Sequence, residues 1–141
     1  MKVNRGNKHK YLGMTLDYSR EGACKITMFE NMKAILETFD KIDTKAKGTK
    51  KSTSQSNLFT VKEDCKKNNK GRSEQLHSIV AQVLFTTKRT RPDTGTSVSF
   101  LTTLVIAPDQ ENWLKLAHQM MYIRGKIDLP GMLKWYVDES Y

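Results

Sequence analysis

"LHSIVAQVLFTTKRTRPDTGTSVSF", residues 76–100, is the stretch on which the fold turns. Leu76, Ile79, Val80, Val83 and Leu84 recur at helical spacing and form one continuous stripe. The first half is therefore expected to be a helix, with Ser73 just upstream as its N-cap. Pro92 ends that helix and suits the start of another, with Asp93 in its first turn or capping it. Val98, Leu101 and Val105 then face inward, and because Thr94 to Ser99 have low helix propensity, packing must hold them.

Downstream, "PDQENW" (108–113) opens a third helix: Pro108 suits the first helical position, and Asp109 and Glu111 complement the positive end of the dipole. Trp113, Leu116, Met120 and Ile123 make its apolar face, and Gly125 is a suitable stop. Three helices with short connections predict a small antiparallel bundle over 73–126. Upstream, "YLGMTLDYS" and "CKITMF" are strand-like runs separated by "REGA", whose Gly22 can supply the positive φ of a hairpin loop. "FENMKAILETFD" carries Phe29, Met32, Ile35, Leu36 and Phe39 at helical spacing and is expected to pack on one face of that hairpin. The fold class is thus α+β. The terminal "KWYVDESY" (134–141) is strand-like. It either adds to the earlier sheet or begins a domain whose remainder is missing.

The 141 residues suit one modest core, and no apolar run approaches the roughly 20 residues a membrane span needs. The start, "MKVNRGNKHK", lacks the apolar stretch of a signal peptide. A soluble protein of a reducing, intracellular compartment is expected, with no membrane partner. Cys24 and Cys65 read as free thiols, the first packed in a strand and the second exposed. The net charge of +9 suggests a polyanionic partner. Nearly all the excess lies in residues 41–72, which hold ten basic and three acidic side chains and are poor in apolar residues. By composition this is a mobile connection, in which only "NLFTV" (57–61) could dock.

Local signals for chemistry are few. Asp17, Asp138 and Glu139 are the carboxylates in apolar, strand-like surroundings, but they do not converge in sequence. His77 lacks a second ligand one turn on and reads as a partly buried, hydrogen-bonded side chain; His9 and His118 read as surface residues. No GxSxG turn or glycine-rich phosphate loop occurs. The sharpest feature is "TKRTRPD", where Lys88, Arg89 and Arg91 cluster at a corner between helices. Two readings stand: the cluster grips phosphates, or it complements the helix C-terminus with Arg91 paired to Asp93.

The order of segments "KYLGMTLDYS", "ITMFENMKAIL", "NLFTV", "LHSIVAQVLFTTKRTRPDTGTSVSFLTTLV", "PDQENWLKLAHQMMYIRGKIDLP" and "WYVDES" resembles the copia-type retrotransposon polyprotein, from just after the reverse transcriptase catalytic centre to the first strand of RNase H. The resemblance covers nearly the whole chain, and the "RTRPD" corner is its most specific element. It implies a palm end at 1–40, a flexible basic connection at 41–72, a thumb-like bundle at 73–126 and an orphan first RNase H strand at 127–141. Tyr11, Leu12 and Gly13 match the hairpin that contacts the primer end, and Lys88, Arg89 and Arg91 would face a primer–template duplex. Asp138 matches the first RNase H carboxylate, whose companions would lie beyond Tyr141, so the chain is expected to be a fragment. The family's polymerase aspartate pair is not in this sequence. A reverse transcriptase piece that is inert alone follows, binding no cofactor itself although the intact enzyme implies Mg²⁺. Its partners would be RNA/DNA primer–template and the remaining polyprotein domains. "GTKKSTSQS" lacks the proline turn usual in the family. A stand-alone basic nucleic-acid-binding module and a protein-interaction remnant are the alternatives.

Overall fold

The computed structural model describes residues 5–53 and 56–127, and the backbone of Leu133–Tyr136. The α+β class holds. Strands β1 (Lys8–Tyr11), β2 (Met14–Asp17), β3 (Ala23–Thr27) and β4 (Leu133–Tyr136) lie in that order in one antiparallel sheet. Helices α1 (Phe29–Ile42), α2 (Lys70–Thr90), α3 (Gly95–Thr103) and α4 (Gln110–Gly125) make the rest, with a 3-10 turn at Pro92–Thr94.

The first strand-like run is two strands, not one. Leu12 and Gly13 both take positive φ (49° and 77°), the signature of a two-residue hairpin turn between β1 and β2. Gly22 has φ 69° in the next connection, where the β2–β3 hairpin was expected. The terminal strand is not an orphan: β4 pairs with β3 in the register Ala23↔Tyr136 to Ile26↔Leu133, because β3 otherwise has an open ladder edge.

Helix α1 does not lie on the hairpin. Its Met32, Ile35, Leu36 and Phe39 join Leu76, Ile79, Val80 and Val83 of α2, Val98 and Leu101 of α3, and Trp113, Leu116, Met120 and Ile123 of α4 in one core. The sheet offers little to bury against: in its described part only Cys24 is buried within a strand, while the bundle supplies a full apolar stripe. Residues 29–40 and 73–126 thus share a single four-helix core.

The helix starts differ by a few residues from those expected. Asn69, not Ser73, caps α2, accepting from the Arg72 N–H at 2.9 Å. Pro108 lies ahead of the α4 cap, Asp109, whose carboxylate accepts from the Asn112 N–H at 2.8 Å. Gly125 ends α4 without a positive φ. A Cβ there would stand 3.0 Å from Thr49 Cβ, so its lack of a side chain admits the neighbouring chain.

That neighbour is the basic connection, whose described residues are bonded along α4. Composition foretold little apolar burial, and only Ala46 and Leu58 are buried in its described part. Polar bonds to α4 hold it instead. The Trp113 indole N–H donates to Asp43 at 2.6 Å, Lys115 Nζ donates to the Thr60 carbonyl at 2.5 Å, and Arg124 donates to the Ala46 and Gly48 carbonyls at 3.1 and 2.8 Å. His118 Nε2 bonds the Ser52 carbonyl at 3.1 Å. Its far end pairs with the start of α4, Asn68 N–H to the Pro108 carbonyl and Gln110 N–H to the Lys66 carbonyl, each 3.0 Å. Helix α4 is therefore central: its apolar face meets the other helices, and this strap covers its polar face.

Candidate nucleic-acid interface

The corner after α2 splits the three cations that sequence grouped together. Arg91 is 8% exposed and bidentate to Asp93, Nε to Oδ1 at 3.0 Å and Nη2 to Oδ2 at 2.9 Å. The Tyr122 hydroxyl donates to the same carboxylate at 2.8 Å. Burial works to raise the Asp93 pKa, but the Arg91 and Tyr122 bonds outweigh it and hold the carboxyl below its ordinary value. Burial and the Asp93 carboxylate both push the Tyr122 hydroxyl up. Arg91 is thus committed to an internal ion pair tying the corner to α4. Arg89 lies over the Phe85 ring at 3.6 Å and donates to the Phe85 carbonyl at 3.0 Å, as a cation at a helix C-terminus does. Lys88 is exposed in the last turn. Lys88 and the outer part of Arg89 remain for a phosphate.

The hairpin tip holds Tyr11, Leu12 and Gly13 together, with Tyr11 61% and Leu12 60% exposed. Lys8 and Lys10 are exposed on β1 beneath it. Asp17 accepts from the Ser19 N–H at 2.9 Å and lies 3.8 Å from Lys8 Nζ, a half-buried strand-end carboxylate. Asp138 lies outside the described residues.

The basic surface of residues 41–72 was missed as a structure. The strap's backbone faces α4, while Lys45, Lys47, Lys50, Lys51, Lys66 and Lys67 are exposed. Of the acidic groups nearby, Glu63 and Asp64 are exposed on the strap itself, Asp43 is held by Trp113 and lies 4.0 Å from Arg72, and Glu111 lies 3.7 Å from Lys62. Burial works to raise the Asp43 pKa, but the bonds from Trp113, Lys45 and Ala46 and the Arg72 charge keep it low. Where the strap reaches α2 a groove of about 790 Å³ opens, with Lys66, Lys67, Arg72, Gln75, Gln110 and Leu114 among its walls. Arg72 stands over the Trp113 ring at 3.8 Å, and that ring stacks on Phe39. Only the charge count of residues 41–72 signalled this surface; of the α4 residues that anchor it, His118 read as a surface position and Trp113 as part of the apolar face.

Other side chains depart from expectation. His77 is exposed, His9 is half-buried, and His118 is 7% exposed beneath the strap. Cys65 is half-buried, with its thiol 3.5 Å from Glu111; burial, then that carboxylate, push it up. Among the described residues no three His, Cys, Asp or Glu side chains converge to hold a metal ion. No helix of the described residues is long and apolar enough to cross a membrane. No family model, curated protein or solved structure matches this chain.

Proposed function

We propose that the chain is a palm-end and thumb piece of a copia-type reverse transcriptase that holds the phosphate backbone of a primer–template duplex and does not polymerise by itself. The family reading rests on the order of sequence segments that runs through nearly the whole chain. The binding reading rests on one observation: the strap carries Lys45, Lys47, Lys50, Lys51, Lys66 and Lys67 on its exposed side while its backbone is fastened to α4. Fixed cations neutralise phosphates and release counterions without the ordering cost a loose tail would bear. An intracellular setting, cytoplasmic or nuclear, goes with this reading.

Binding to a fluorescent duplex, measured against salt, tests it. Log affinity should fall linearly with log salt, by about 0.9 per phosphate contacted, with little sequence preference. A flat response overturns it. In a primer-extension assay with RNA template and Mg²⁺ the chain should add no nucleotides, and reproducible incorporation would refute the inertness.

A protein-interaction remnant is a second reading, favoured by the exposed Phe59 (63%) and Ile106 (93%) and by the edge contact of Phe59 with Phe100 at 5.0 Å. Concentration-dependent oligomers in sedimentation would support it, and a monomer at all concentrations would count against it.

A further inference from the structure

We propose that the groove between the end of the strap, α2 and α4 holds a single-stranded stretch of nucleic acid. The claim deepens the nucleic-acid reading above and rests on it. Lys66 and Lys67 are exposed on one wall, Arg72 stands on another, and among the described residues the lining includes no carboxylate. Charge complementarity therefore selects a polyanion. The form of Arg72 selects an unpaired strand. Its guanidinium is stacked over Trp113 at 3.8 Å, with Asp43 4.0 Å away, so the plane is fixed while the side chain keeps 35% of its surface exposed toward the groove. A fixed guanidinium plane stacks a splayed base, which a duplex does not present. Leu114, 61% exposed, adds an apolar contact for a base, and the Gln75 and Gln110 amides can donate to and accept from base edges. Phosphates rest on Lys66 and Lys67, and a base rests on Arg72.

Anisotropy of a labelled oligothymidine, an abasic strand of equal length and a duplex, titrated across salt, tests this with the full chain. Lys66→Gln with Lys67→Gln should weaken oligothymidine binding about tenfold or more and lower its salt slope by about 1.4, at roughly 0.7 per phosphate for a single strand. Duplex binding should weaken less than oligothymidine binding, because Lys45, Lys47, Lys50 and Lys51 of the strap remain to hold it. Arg72→Lys keeps the charge and loses the plane: it should weaken oligothymidine binding at unchanged slope and leave the abasic strand unaffected. Thermal melting of each variant separates these effects from unfolding. Oligothymidine binding unchanged in the double variant overturns the groove, as does an abasic strand that binds the parent chain as tightly as oligothymidine. If duplex binding persists in either case, only the groove is refuted. If the parent chain binds no probe, the nucleic-acid reading falls with it.

Discussion

The corner and the strap are both basic in sequence, yet they use their charge in opposite ways. At the corner the central cation, Arg91, is buried and bidentate to Asp93, with Tyr122 on the same carboxylate. Along the strap the backbone is fastened and the lysines are left outside. A cluster of cations is a binding surface only where no internal carboxylate has already taken it. Arg91 has Asp93 two residues away at the right angle; Lys45, Lys47, Lys50 and Lys51 have no such partner among the described ion pairs.

The largest expected effect follows from breaking the corner. Arg91→Ala removes the buried partner of a pair whose carboxylate, Asp93, is 40% exposed, and leaves Asp93 and the Tyr122 hydroxyl without it. About 2 kcal/mol of stability should be lost in urea unfolding, since solvent screens part of the Asp93 charge, with the salt slope of duplex binding unchanged. A stable variant with a weaker salt slope would return Arg91 to the phosphate-gripping role. Next comes Trp113→Phe, which keeps the stack on Phe39 but strips the donor from Asp43. Stability should fall by about 1–2 kcal/mol, and the strap should become more sensitive to trypsin. Gly125→Ala should cost about 1 kcal/mol, since its new methyl meets Thr49 at 3.0 Å. The effect should appear as faster cleavage at Lys47 and Lys50, and unchanged proteolysis would mean that the strap tolerates the shift.

Acid should act on both regions together. Asp43 and Asp93 have folded pKa values below their ordinary ones, so the stability they contribute is present above the unfolded value and is lost as pH falls through the folded one. Unfolding free energy should therefore decline below about pH 4. Asp93→Asn should be less stable at neutral pH and show a shallower acid decline; an identical decline would place the linkage elsewhere. The smallest effect belongs to Lys88→Gln with Arg89→Gln, expected to move stability by no more than about 0.5 kcal/mol. If both touch phosphates, the duplex salt slope drops by about 1.8.

What could be read from sequence, and what could not, divides along the same line. The apolar stripes of α1, α2 and α4 were legible because period and burial coincide at Met32, Leu76, Val83, Leu116 and Met120. Gly22 was legible because a turn needs its φ. The partner of α1 was not, since a stripe says that a helix is buried without saying against what. The docking of the strap escaped for a different reason. It rests on Asp43, Lys115, His118 and Arg124 meeting main-chain carbonyls and one indole, interactions with no hydrophobic period. The corner was half legible: Arg91 and Asp93 were seen as a possible pair, but the deciding third member, Tyr122, lies 29 residues on.

Whether the strap is the phosphate-binding surface is tested most directly by the salt dependence of duplex binding in a variant with Lys45, Lys47, Lys50 and Lys51 all changed to Gln. These side chains are exposed, so the fold should survive, and unchanged melting would confirm it. The log–log salt slope should be smaller than that of the parent by about 3.6, at roughly 0.9 for each phosphate no longer neutralised. A variant that melts normally and keeps the parent's slope would contradict the strap's role.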